Sequence, residues 1–432
     1  MPRLLILSLN YAPEPTGFAP HTTALAEHEA SLGFAVTVVT GFPFAPRWAR
    51  WPEYKGRIVC RERVNGVDIV RVSHFIPRQP GSALQRVLME GSFAAGAFIA
   101  LSRRILFGPR FDLVLAVGAQ PAVAWLARSI AALARIPYIV KITDLAAQAA
   151  LDVGIVRNGT AAQTLASIEL GAYRRACAAI VLCDAFANAL VADGFPREAV
   201  HVIPDSVDLD AIQPDGDGAR FRRHHHIDPG AFVVLYSGSL GLKQGLFDVV
   251  DAARLLAPRS SDVQWVLIGE GETRKALRRR IADARLDDRV LLLPLQPERD
   301  LRDMFAASDL LLLSQLRAVK DTVIPSKLLM YMAAGRPVVA AVNTRSQAAN
   351  LIREANGGVV VDPENAQAMA DAVLTLLKRP QDRSAMARRN RVYAEQHFDR
   401  TAILSAQQAV IDNACARDEQ TVSAAPSIRP LD

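Results

Sequence analysis

The stretch Ile324-Pro325-Ser326-Lys327-Leu328-Leu329-Met330-Tyr331-Met332-Ala333-Ala334-Gly335-Arg336-Pro337-Val338-Val339-Ala340 reads as a loop, a short helix and a buried strand. Pro325 fits the first turn, where its missing N–H costs nothing. Ser326 is a helix-start residue. Gly335 suits the left-handed position that ends a helix. Pro337-Val338-Val339-Ala340-Ala341 is a short apolar run of buried-strand type. A helix start with free N–H groups, a hydroxyl and a lysine can hold an anion such as a diphosphate. An ordinary helix–strand unit with a capping serine accounts for the same residues.

Outward from this unit the pattern repeats. The first half predicts strands at 4–9, 35–40, 67–72, 111–117, 137–141, 178–182 and 200–203. Its helices fall at about 20–32, 84–106, 121–134, 160–176 and 185–193. The second half predicts strands at 232–236, 263–268, 289–293, 309–313, 337–341 and 358–361. Helices there fall at about 245–256, 273–284, 298–306, 326–334, 346–354, 365–378 and 382–396. Strand–helix alternation means right-handed crossovers and parallel sheets. The fold class is α/β, with two Rossmann-like doubly wound parallel-sheet domains facing across a cleft. The 432 residues suit two domains of roughly 200 each. The first spans 1–208 and the second 209–397. Pro214, Asp215, Gly216, Asp217 and Gly218 lie at the hinge. Residues 418–432 are polar with two prolines and read as a disordered tail.

Half of the residues are hydrophobic and 6% aromatic, which suits Ala/Leu/Val-rich elements and excludes a disordered chain. The net charge of +6 favours anionic partners. Cys60, Cys177, Cys183 and Cys415 show neither disulfide nor zinc spacing, which points to a reduced, cytoplasmic setting. His224-His225-His226 cannot share one face, so no metal site is expected. No window holds the roughly 18 apolar residues of a membrane-crossing helix. No basic stripe is interleaved with aromatic residues, which argues against nucleic acid.

Several loops carry candidate chemistry. Asn10 to Gly17 follows the first strand, and Gly17 permits close backbone approach. It also fits a plain βα turn. Ser237-Gly238-Ser239-Leu240-Gly241-Leu242-Lys243-Gln244-Gly245 follows the first strand of the second half. Its small residues expose amides, and Lys243 supplies a mobile charge able to neutralise a diphosphate leaving group. Gly269 opens the loop after strand 263–268. In Lys320 to Lys327, Thr322 and Lys327 can meet sugar hydroxyls and phosphate, and Asp321 either holds a hydroxyl or is ion-paired. Asp144 ends a strand of the first half and would face the cleft, or cap a helix. These two aspartates are the candidate catalytic carboxylates. Residues 84–107 form an apolar helix flanked by Arg86, Arg103, Arg104 and Arg110. Its charge-free run 91–102 suits a membrane interface, where each arginine adds about 1 kcal/mol at an anionic surface. A long core helix fits equally.

The segments SLNYAPEPTGFAPHTTALAEH, SGSLGLKQGL and IPSKLLMYMAAGRPVVAAV resemble those of glycosyltransferase family 4, the retaining GT-B enzymes, in the branch that builds exopolysaccharide, O-antigen and colanic acid. The likeness covers about residues 3–400. It implies a GT-B fold, with a UDP- or GDP-sugar donor held mainly by the second domain. The acceptor, a polyprenyl-diphosphate-linked saccharide, is held by the first. It implies no metal or other cofactor, a peripheral place on the inner face of the plasma membrane, and a C-terminal helix near 398–413 returning to the first domain. Lys243 or Gln244 takes the family's basic phosphate position. Ser326, Lys327 and Leu328 supply helix-start amides, joined by Pro325. Leu295, in Leu293-Pro294-Leu295-Gln296, lies where the base is held through backbone atoms. Gly17, Ser237, Gly238, Gly269 and Thr322 complete the donor set. The chain departs from the family at Thr322 and Met330, where many relatives carry a glutamate pair. Others are Ser239 for an arginine, Thr143 for a histidine and Gln347 for a glutamate. The expected function is retaining transfer of a hexosyl or N-acetylhexosaminyl group in cell-surface polysaccharide synthesis. The absent glutamate pair also fits a non-catalytic nucleotide-sugar-binding subunit. A nucleotide-sugar epimerase lacks a convincing carboxylate pair.

Overall fold

Runs such as Leu4–Leu7 and Leu113–Val117 bury every residue, the signature of interior parallel strands covered on both faces. The computed structural model describes residues 1–15, 17–79, 82–118, 120–143, 159–319 and 325–423. It divides into two units. One is Met1–Pro204 joined by the chain from Ile403 onward, and the other is Asp205–Ala402.

In the first unit the described elements run β1 (Arg3–Leu7), α1 (Ala19–Ser31), β2 (Ala35–Gly41), β3 (Val59–Val64), β4 (Val67–Val72), α2 (Ala83–Phe107) and β5 (Leu113–Val117). They continue with α3 (Pro121–Ala134), β6 (Tyr138–Ile142), α4 (Gly159–Tyr173), β7 (Ala178–Val181), α5 (Asp184–Ala192) and β8 (Val200–Val202). The sheet order is β3-β4-β2-β1-β5-β6-β7-β8, parallel except for the β3–β4 hairpin.

The second unit holds α6 (Gly218–His224), β9 (Phe232–Ser237), α7 (Leu246–Leu256), β10 (Val263–Ile268), α8 (Arg274–Asp283), β11 (Val290–Leu293), α9 (Leu301–Ala306) and β12 (Leu310–Ser314). Then come α10 (Ser326–Ala333), β13 (Val338–Ala341), α11 (Gln347–Glu354), β14 (Gly358–Val361), α12 (Ala366–Leu377) and α13 (Pro380–His397). Its sheet is parallel, in the order β11-β10-β9-β12-β13-β14. Two apolar clusters sandwich it. One is built around Val233, Leu235, Leu328 and Tyr331, and the other around Val234, Tyr236, Trp265 and Val373. The last helix, α14 (Arg400–Ser423), places Ile403, Leu404, Val410, Ile411 and Ala414 in the first unit's core beside Leu25 and Ala26 of α1.

The structure corrects several sequence expectations. Strand β3 was absent from the expected set, because its residues are mostly exposed at the sheet edge. Its signal was Asn65-Gly66, both at positive φ, as a two-residue hairpin turn requires. Helix α6 was not in the expected set and starts at the last residue of the segment read as a hinge; Asp217 caps it by accepting from the Arg220 amide at 2.8 Å. Helix α14 runs to Ser423, into the residues read as a tail from 418. Helix α2 has 25 residues, including an 18-residue window apolar enough to cross a membrane by length and composition. No such window was expected. Met89, Phe93, Ala97 and Leu101 seat one face of α2 in the first unit.

Candidate functional site

The chain leaves β9 for β10 and β11 on one side, then resumes on the other side with β12. The carboxyl ends of β9 and β12 therefore flank the topological switch point, where doubly wound sheets bind ligands. The loop after β9 is tied to the end of β12: Leu316 N donates to the Lys243 carbonyl at 2.9 Å, and Ser314 Oγ donates to the Gly245 carbonyl at 3.4 Å.

Glycine makes this corner possible. Gly269, just past β10, has φ +152°, and a Cβ there would lie 1.8 Å from the Gly238 carbonyl oxygen. Gly238 has φ +141°, and its Cβ would lie 3.1 Å from Lys327 Cε and Nζ. Both backbones approach as only glycine allows. Gly238 N donates to Ile268 O, Leu240 N to Glu270 O, and Gly269 N to Leu293 O, lacing the loops after β9, β10 and β11 together.

Lys327, on the first turn of α10, points its ammonium into this corner. Nζ donates to Tyr236 Oη at 2.6 Å and to Gln244 Oε1 at 3.1 Å, and lies 4.0 Å from the Tyr236 ring centroid. The Tyr236 hydroxyl in turn donates a hydrogen bond to Ser239 O at 2.7 Å. Burial, and then the charge of Lys243, push the Lys327 ammonium from the ordinary 10.5 down to about 7. Burial holds the phenols of Tyr236 and Tyr331 well above their usual range, so both stay protonated. Tyr331 Oη accepts from Ser237 N at 3.0 Å and donates to Ser237 O at 3.2 Å, fixing the end of β9 against α10. Among the described residues neither Lys327 nor Lys243 has a carboxylate partner.

Pro325 is buried and takes the position before the helix, without a side-chain cap; Ser326 is exposed at its first residue. Ser326 was expected to cap α10. A proline held at φ −66° and ψ 114° already sets the entry, leaving the serine hydroxyl turned outward. The Leu328 amide is taken by Pro325 O at 2.8 Å and so does not serve an outside anion. The helix start offers the amides of Ser326 and Lys327, which have no acceptor among the described residues.

Two family models match the chain: a glycosyl transferase 4-like domain over residues 16–205 and glycosyl transferases group 1 over residues 217–393. The chain belongs to glycosyltransferase family 4. It is 27% identical to the Escherichia coli K12 protein named as colanic acid biosynthesis glycosyl transferase WcaI, over 93% of this chain and 98% of that one. A D-inositol 3-phosphate glycosyltransferase of Pseudarthrobacter chlorophenolicus is 31% identical over 49% of this chain and 50% of its own. Among solved structures, Anabaena HepE in complex with UDP superposes with a TM-score of 0.71 at 17% identity, over 96% of this chain and 100% of that chain. Sucrose-phosphate synthase of Thermosynechococcus elongatus gives 0.75 at 18%, over the same shares. The fold of this glycosyltransferase is GT-B, as the motifs implied.

Of the expected site residues, Ser237, Gly238, Gln244, Gly269, Pro325, Ser326, Lys327 and Leu328 meet around the end of β9. Two of them are engaged within the protein. Gln244 is buried and holds the Lys327 ammonium; the Ser237 backbone is consumed by Tyr331. Lys243 is exposed beside them. Leu295 is half-buried in the loop after β11, where Leu293 O accepts from Gly269 N and from Arg274 Nη1 and Pro294 O accepts from Gln296 Nε2. Gly17 lies in the first unit, exposed at φ +67°. Asp144, Asp321 and Thr322 fall outside the described residues. Among those described, no group of acids, histidines and cysteines is arranged to hold a metal. The reading of single residues missed Tyr236 and Tyr331. The signal was an aromatic on β9 and another five positions into α10, both able to reach the same loop.

Proposed function

We propose that this glycosyltransferase moves a hexosyl or N-acetylhexosaminyl group from a UDP- or GDP-sugar to a lipid-linked saccharide, with retention of anomeric configuration. One observation carries the reading: two lysines without described carboxylate partners, at the switch point of the second unit, beside the start of α10. That is a fixed positive environment for a diphosphate. The complex of HepE with UDP supports a nucleotide here, and the colanic acid relative supports a surface-polysaccharide product.

In the reaction the sugar C1–O bond to the diphosphate breaks. The acceptor oxygen bonds C1 on the same face, and its proton passes to the departing phosphate oxygen. Lys327, Lys243 and the amides of Ser326 and Lys327 stabilise the charge that develops there. Metal is not required in this scheme. Asp144 and Asp321 are the carboxylates proposed for the reacting hydroxyls. The acceptor is reached from a membrane surface, the cytoplasmic face, by the exposed side of α2.

Incubation with a panel of UDP- and GDP-sugars and a polyprenyl-diphosphate-linked saccharide should release nucleotide for one donor, in the presence of EDTA. The product linkage should keep the donor's anomeric configuration. Nucleotide binding without turnover for any donor overturns catalysis and favours a non-catalytic nucleotide-sugar-binding subunit.

A further inference from the structure

Beyond the end of β2, residues 42–51 form a loop at the carboxyl edge of the first unit's sheet. The loop is built rigidly. Glu14 is 3% exposed, and its Oε1 accepts from the amides of Phe44 and Ala45, both at 2.8 Å. Its Oε2 accepts from Asn10 Nδ2 at 2.7 Å. Trp51 Nε1 donates to Ala45 O at 3.2 Å, Trp51 N to Pro43 O, and Ala49 N to Phe44 O.

These ties hold Trp48 at φ +53°, a left-handed conformation that a bulky residue rarely adopts. Strain of this kind persists where the surroundings over-determine it, and it gathers at ligand sites. The Trp48 ring is half-buried, 5.4 Å from the Phe44 ring. Arg86, from the first turn of α2, places its guanidinium 5.8 Å from the Trp48 centroid. Among the described residues the indole N–H has no acceptor. An aromatic ring of this kind offers its edge and face to sugar C–H groups and its N–H to a hydroxyl. The guanidinium alongside suits a hydroxyl or a phosphate oxygen.

We propose that Trp48, with Arg86, forms a subsite for the sugar nearest the lipid diphosphate of the acceptor. The inference rests on the acceptor class proposed above and deepens it. Trp48 stacks on the pyranose and donates from Nε1, and Glu14 positions the loop that carries it.

The test compares two probes on the full chain in detergent: a short polyprenyl-diphosphate-linked N-acetylglucosamine and the same polyprenyl diphosphate without sugar. The wild type should bind the sugar-bearing lipid about tenfold more tightly. Trp48→Ala should abolish that ratio, leaving the sugarless lipid and UDP bound as before and the melting temperature nearly unchanged. Trp48→Phe, which keeps a ring and loses the N–H, should retain part of the ratio, and it serves if the alanine variant does not fold. A ratio that survives in both variants overturns the subsite. So does equal binding of the two lipids by the wild type, even where nucleotide release shows that transfer itself stands. Binding of neither lipid overturns the subsite together with the acceptor reading.

Discussion

Lys327 Nζ and Tyr236 Oη lie 2.6 Å apart, on α10 and β9, and the lysine is the donor. The pair turns a strand residue and a helix-start residue into one device. The phenol accepts from the ammonium and donates to Ser239 O, while Gln244 Oε1 accepts a second hydrogen bond from the ammonium. Among the described residues the remaining N–H of the lysine has no acceptor. Ser239 stands where the resemblance to the family implies an arginine. Lys327 brings a cation to the same loop from the other side, 3.1 Å from where a Gly238 Cβ would stand.

Diphosphate binding should take up protons. With Lys327 depressed to about 7, its ammonium is largely discharged in the free protein at pH 8.5, and a bound anion restores the charge. Affinity for UDP should therefore be full below pH 7 and fall as pH rises above it, by up to about tenfold per unit. Calorimetry at pH 8.5 in buffers of different ionisation enthalpy should show uptake approaching one proton. Lys327→Gln should remove both the uptake and the slope; an unchanged slope would sink the assignment.

Gly269→Ala should loosen the site from within. The new methyl meets the Gly238 carbonyl, and φ +152° is foreign to alanine. A cost of about 1–3 kcal/mol is expected. Chemical denaturation measures it, and UDP affinity should fall with it because the loop after β9 must move.

Glu29 gives α14 a pH-dependent seat. Its side chain is 0% exposed, neither oxygen has a partner among the described residues, and burial, then Asp412, raise its carboxyl from about 4.5 to about 8. The folded state thus holds a proton that the unfolded state releases. The group's contribution is complete below 4.5 and is lost as pH climbs towards 8. Glu29→Gln should flatten that decline and gain on the order of 2–4 kcal/mol at pH 8 relative to wild type. Urea melts from pH 5 to 9 decide it: parallel curves would refute the burial argument.

The exposed side of α2 should bind anionic vesicles. Val87, Leu88, Ile99, Leu106 and Phe107 are between 50% and 84% exposed, and Arg103 and Arg110 stand in solvent nearby. Arg104 is withdrawn from that task, half-buried 4.4 Å from the Phe111 ring centroid, with burial lowering its pKa. Ile99→Glu should cut co-sedimentation at least tenfold, since an inserted aliphatic chain is worth about 1.5–3 kcal/mol. Arg103→Gln should cost about 1 kcal/mol, and only on anionic lipid. Melting temperatures should hold, because neither side chain is in the core.

Much of this was legible in the residues. Buried parallel strands announce themselves as unbroken apolar runs, and β4, β10 and β14 match their expected limits. Edge strand β3 escaped notice because half-solvated residues carry no such run. Helix α6 escaped because polar residues hid a single aspartate cap. At the site, glycine spacing marks the loops, but nothing in the string of residues separates the desolvated Lys327 from the exposed Lys243.

Sequence alone determined the two α/β units, since hydrophobic period and punctuation by glycine and proline are local properties. It also determined the family, because short motifs survive as strings. Only the tertiary structure decided which lysine is desolvated and what holds it. Tyr236 and Lys327 are separated by 91 residues along the chain, and desolvation depends on what surrounds a group in space rather than on its neighbours in the chain.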